Sequence, residues 1–221
     1  MFIGHFAIGF AAKRAAPKTS LGLLLAAPLL ADLLWPLFLL LGIEHVGINP
    51  AGPPFLKLDF LSYPWSHSLV MDCVWAALFA GSYYAVTRYR PGAVMIAIGV
   101  VSHWVLDVIT HVADMPVAPW GGPLVGLGLW HSVPATVVTE VVMFAIGVWL
   151  YARTTRARDA VGRYAVWAMV ALLFVAYFLT INAPPPPNIS ALGIGGLTGV
   201  LFPIWAWWGD RHREVTTSPA S

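Results

Sequence analysis

Between Gly99 and Asp114 the groups able to do chemistry are His103, Asp107, Thr110, His111 and Asp114. On a helix turning 100° per residue they fall within an arc of about 100°. Apart from Ser102, the rest of the stretch is aliphatic, glycine or tryptophan. Imidazoles and carboxylates one turn apart suit a hard or borderline divalent cation: zinc first, with manganese or iron as alternatives. Ionisable groups are costly in hydrocarbon and face a bundle interior or a wet cavity. The stretch is expected to form the wall of a metal site.

Other ionisable residues interrupt apolar runs. Asp32 stands near the centre of one run with Pro36 a turn later, and its alternative reading is a hydrogen-bonded packing residue. In Ser66-His67-Ser68-Leu69, Ser66 is a candidate cap and His67 falls in the first turn of a helix. Asp72 lies about 140° away on that helix and needs its own partner. Glu140 sits more than two turns into another run, where a hydrogen bond to a neighbouring threonine is the alternative. His131 opens that run. Glu44, His45 and Asp59, in a Pro- and Gly-rich segment, read as solvated loop residues. The lone Cys73 excludes an internal disulfide or a multi-thiolate zinc site and reads as a small buried hydrophobe.

The elements that must position these groups follow from composition. Of 221 residues 59% are hydrophobic and 10% charged, with a mean hydropathy of +0.76, so an integral membrane protein is expected. Six runs, at 21–43, 66–86, 92–114, 132–151, 164–181 and 189–208, are long enough to cross about 30 Å of hydrocarbon. The fold class is therefore all-α: a polytopic helical bundle forming one domain over 1–210, with a polar tail over 211–221 expected to be disordered. Of twelve lysines and arginines only Lys57 falls on one side of these runs, which places both termini in the cytoplasm. Topology thus accounts for the basic residues, and no nucleic-acid partner is expected. The segment 2–12 is too short to span. It is either an interfacial helix or a half-helix dipping into the bundle, and the second would bring His5 inside.

His5, Asp32, His67, His103, Asp107, His111, His131 and Glu140 thus come from several spans, and all but His5 are expected at the midplane or the outer half. Gly4-His5, Ala31-Asp32 with Pro36, Ser66-His67-Ser68-Leu69 and Ser102-His103-Trp-Val-Leu-Asp107-Val-Ile-Thr110 resemble a bacterial family of membrane-bound metal-dependent hydrolases. The resemblance covers roughly the first 125 residues. It implies His5, Asp32, His67, His103 and Asp107 as metal-site residues and a bacterial inner-membrane location. Leu34 and Trp35 stand where such relatives carry a second acid and a histidine, and Ser62 and Tyr63 where they carry a His-Arg pair. His111 and His131 are the candidates to make up the ligand set. The chain is more loosely similar to soluble zinc-dependent phospholipases C.

The expected chemistry is metal-assisted hydrolysis of a phosphoester or ester in a lipid or lipid-linked substrate at the outer half of the membrane, with membrane lipids as partners. His103, Asp107 and His67 would be core ligands, and Asp32 a further ligand or the general base. His131 or Glu140 would carry a proton to the leaving group. Two other readings stay open: a metal-ion or proton transporter, and a non-catalytic protein with a structural metal.

Overall fold

The computed structural model describes residues 1–216. Its helices are α1 (Ile3–Ala15), α2 (Leu21–Ala26), α3 (Leu30–Leu40), α4 (Pro64–His67), α5 (Leu69–Thr87), α6 (Arg90–Thr110), α7 (Val133–Thr154), α8 (Ala160–Ile181), α9 (Ile189–Leu197) and α10 (Leu201–Arg211). A 3-10 turn joins α9 and α10 into one span, Ile189–Arg211. With α5, α6, α7 and α8 it makes five elements among the described residues that are long and apolar enough to cross a membrane. The chain is an all-α, multi-pass membrane protein.

Side-chain distribution on α7 shows how such a helix sits between lipid and bundle. Val138, Val142, Ile146 and Trp149 form an exposed apolar stripe, while Thr136, Glu140, Phe144, Gly147 and Tyr151 are buried. That is a single helical face turned inward, with apolar side chains left for hydrocarbon on the other. Cys73 lies on such an outward face beside Val74 and Leu78, exposed rather than buried as expected.

The first expected span, 21–43, is not one helix. Proline lacks an N–H, and Pro28 removes a rung of the ladder where α2 gives way to a turn before α3. The carbonyl of Pro28, in the turn between the two helices, is used elsewhere, as described below. Only α3 remains as a shorter apolar helix of eleven residues.

Of the two placements for the leading segment, the structure adopts the half-helix. Thirteen residues give α1 a length of about 20 Å, short of a bilayer. It is nonetheless almost wholly buried, packed on α7, α2 and α6. Gly147 permits the approach to α7, since a Cβ there would fall on the backbone carbonyl of Ala7. Phe6 and Phe10 join Leu21, Leu25, Phe144 and Tyr151 in the main apolar core.

At the base of α1, Lys13 is buried against Asp210 of α10, Nζ to Oδ2 2.6 Å. The same carboxylate accepts the Leu21 N–H (3.0 Å) and the Tyr151 hydroxyl (2.9 Å), tying α1, α2, α7 and α10 together. Residues after Arg211 are not uniformly a loose tail. Arg213–Val215 pair antiparallel with Thr155–Ala157, and Arg213 donates to the carbonyls of Gly162 and Thr155. Free backbone groups beside the α7–α8 connection provide the template that composition does not reveal. Residues 217–221 of that expected tail lie outside the described residues.

At the other end, strands His45–Ile48 and Leu58–Ser62 form an antiparallel hairpin, and Met115–Pro116 pairs with Leu124–Val125. The expected third span, 92–114, ends at Thr110 as α6. The N–H groups of Leu127 and Gly128 bond the carbonyls of Val108 (2.7 Å) and His111 (2.6 Å), so the returning glycine-rich loop takes over the terminal acceptors. His111 consequently leaves the helix with extended backbone.

Candidate metal centre

Four elements converge below the hairpin. His103 and Asp107 lie one turn apart on α6, His5 comes from the first turn of α1, His67 from α4 and Asp32 from α3. His5 Nε2 is 3.0 Å from Asp107 Oδ1, and His103 Nε2 is 3.1 Å from Asp107 Oδ2, so one carboxylate faces two imidazoles. The His5 and His103 rings stack with centroids 4.0 Å apart at 10°. His67 meets His103 edge-on at 5.0 Å, and its Nε2 is 3.6 Å from Asp32 Oδ1. The amino nitrogen of Met1 also reaches Asp107 Oδ1 and lies 3.4 Å from Thr110 Oγ1. His5, His103 and Asp107 form one set whose ligand atoms lie within 4.8 Å of one another. Asp32, His67 and His103 form a second, joined to the first through His103.

Outside partners settle which nitrogen of two rings is free. His103 Nδ1 is 2.8 Å from the Pro28 carbonyl, an acceptor only, so Nδ1 carries the proton. Its Nε2 is buried and has no hydrogen-bond partner among the described residues. The Ser66 hydroxyl donates to Glu44 Oε2 (2.6 Å) and therefore accepts from His67 Nδ1 at 2.7 Å. Each Nε2 thus faces a carboxylate oxygen, and in a neutral ring it would present its lone pair there. That arrangement is repulsive unless a cation or proton lies between them, and outer hydrogen bonds of this kind are the usual support of metal-binding histidines. The donor set of three imidazoles and two carboxylates fits zinc, manganese or iron.

Glu44 corrects the sequence reading. It is 2% exposed, not solvated, and its Oε1 accepts the N–H groups of Trp65 and Ser66, both at 2.8 Å. Burial pushes its carboxyl above the ordinary value, opposed by these hydrogen bonds. Ser66 is consequently a link in the Glu44–Ser66–His67 chain. The cap of α5 is Ser68, whose Oγ accepts the Met71 N–H at 3.3 Å, while Pro64 opens α4. A loop carboxylate separated from its histidine by more than twenty residues leaves no periodic signal. His45 and Asp59 are exposed, as expected.

The remaining candidates sit at different distances from the cluster. His111 Nε2 is 3.8 Å from Asp107 Oδ2, and its Nδ1 is 3.0 Å from Asp114 Oδ1, where the Tyr63 hydroxyl also donates (3.2 Å). Burial, reinforced by Asp114, pushes the Tyr63 hydroxyl well above its ordinary value. His111 is therefore a rim residue, outside both ligand sets. His131 is exposed on the loop and lines a cavity with Asp59, Val112 and Asp114; the structure does not bring it to the cluster. Glu140 is buried, but its Oε2 accepts the N–H groups of Phe2 (2.8 Å) and Gly4 (3.1 Å), so it caps α1, and neither the threonine bond nor a proton-carrying contact is seen. Asp72 is fully buried with neither carboxylate oxygen hydrogen-bonded among the described residues. No family model, curated protein or solved structure matches the chain, so the functional reading rests on this geometry.

Proposed function

We propose that this chain is a metal-dependent membrane hydrolase, cleaving a phosphoester or ester of a lipid or lipid-linked substrate at the hairpin end of the bundle. His5, His67, His103 and Asp107 would hold a divalent ion, zinc being the simplest choice, with Asp32 a further ligand or the base. The observation that carries this reading is the pair of histidines whose Nδ1 atoms are committed to Pro28 and Ser66, with their Nε2 atoms facing Asp107 and Asp32. When bound, such an ion supplies an acidified water and polarises the scissile oxygen.

The chain's own residues account for the proton steps. The Asp32 side chain is 45% exposed, so its carboxylate is not sealed within the cluster and could accept a proton at Oδ1. His111, held by Asp114 at the rim, is positioned to protonate a leaving group, the role the sequence suggested for His131 or Glu140. An open side at Asp32 favours catalysis over a closed structural site. A transporter reading is disfavoured because Phe6 and Phe10, in the apolar core, separate His5 from Lys13 along α1, with no ionisable side chain between the two on that helix. By the same proposal the basic end faces the cytoplasm of a bacterium and carries both termini.

Elemental analysis of detergent-purified protein tests the reading. The wild type is expected to retain about one or two equivalents of metal, lost in both His103→Ala and Asp107→Ala while helicity by circular dichroism persists. A wild type that stays metal-free after supplementation overturns the proposal. Glu44→Ala, which releases Ser66 and His67 without removing a ligand, is expected to weaken zinc binding about 10–100-fold in competition with a chromophoric chelator.

A further inference from the structure

Beside Asp32, a groove of about 190 Å³ lies between α3, the first turn of α1 and the α9–α10 span. Leu29, Leu33, Phe6 and Phe202 make its apolar walls, and Asp32 and Trp35 are its polar members. Trp35 is the informative one. Its indole N–H is buried and has no hydrogen-bond partner among the described residues. Its ring also stands 6.3 Å from that of His67, so the groove reaches the metal-ligand cluster. Of the elements around the groove, the α9–α10 span is long and apolar enough to cross a membrane and α3 is a shorter apolar helix, so hydrocarbon is the medium expected at its mouth.

Resting on the hydrolase reading for what happens at its inner end, we propose that this groove seats one acyl chain of a membrane phospholipid. The chain lies against Leu33, Phe6 and Phe202, with its ester or phosphoryl end beside Asp32 and Trp35. One polar end of a few atoms joined to a long apolar remainder matches the lining, and substrate enters sideways from the bilayer. Gly199 keeps the space open. A Cβ built there meets only Leu33 Cδ2 at 3.5 Å, an ordinary contact, so a larger side chain is accepted by the backbone yet fills the groove.

The test uses the full chain in nanodiscs containing phosphatidylethanolamine with a photoactivatable diazirine in one acyl chain. After irradiation, mass spectrometry is expected to find adducts on Leu33 and Phe202 above the level on the lipid-facing Val142 and Val175. The groove adducts are lost in Gly199→Leu while those on Val142 and Val175 persist. Leu33→Phe, filling the groove from the α3 side, is expected to repeat the loss should Gly199→Leu fail to fold. Groove labelling no higher than on Val142, or unchanged in both variants, overturns the proposal. Metal content on the same samples separates the two readings. Metal-loaded protein without groove adducts overturns the lipid groove alone. Groove adducts on a protein that binds no metal overturn the hydrolase and leave a lipid-binding site.

Discussion

Asp210→Ala is expected to produce the largest loss of stability of any single substitution at the basic end. The change leaves the Lys13 ammonium, 5% exposed, buried without its counter-ion. It also strips acceptors from the Tyr151 hydroxyl and the Leu21 N–H. Breaking one partner of a buried pair costs about 3–5 kcal/mol, which for a chain of this size corresponds to a fall of roughly 6–20 °C in unfolding midpoint. Thermal unfolding in detergent measures it. The double variant Lys13→Met/Asp210→Leu is expected to recover much of the loss, because removing both charges also removes the desolvation cost. A midpoint for Asp210→Ala within a degree of wild type would mean that α1 is not anchored there.

Glu140→Leu is expected to weaken zinc binding about 10–100-fold although the residue is in neither ligand set. Its Oε2 takes the N–H groups of Phe2 and Gly4, which flank the start of α1 one to three residues before His5. Without that acceptor two buried donors are stranded, at about 1–3 kcal/mol each, and His5 loses its fixed position against Asp107. Glu140→Gln retains a carbonyl oxygen for the same two donors and is expected to keep most of the affinity. Chelator competition on the two variants decides between positioning and proton transfer. Equal damage in both, with a shifted pH profile of hydrolysis, would return Glu140 to the proton-carrying role its place in the sequence suggests.

The contrast between these residues shows what the sequence could reveal. His103 and Asp107 were legible because four residues on a helix fix their relative direction, whatever else the chain does. Asp32 and His67 were legible because an ionisable group in an apolar run needs an unusual reason to be there. His111 was placed on the same arc only by extending α6 through Asp114, and the loop carrying Leu127 and Gly128 ends the helix earlier. Pro28 is plain in the sequence, yet a hydropathy run takes no account of a missing N–H and gives no sign of the break before α3 or of the Pro28 carbonyl's bond to His103. Glu44 and Asp210 carry no local signature at all. Each becomes important through donors more than ten residues distant, and such pairings are set by tertiary packing alone.

The short α1 also dictates an order of assembly. Among the cluster residues His5 is made first, on a helix that cannot cross a bilayer by its own length. The groups that hold it come later: Asp107 on α6, Glu140 on α7 and, at the base, Asp210 on α10. During synthesis the first histidine is therefore expected to gain its partners only once α6 and α7 are in place. The ligand residues all lie at or before Asp107, but the anchor of the other end of α1 arrives last, so a chain truncated before α10 would hold four spans and the full ligand set with Lys13 left without Asp210.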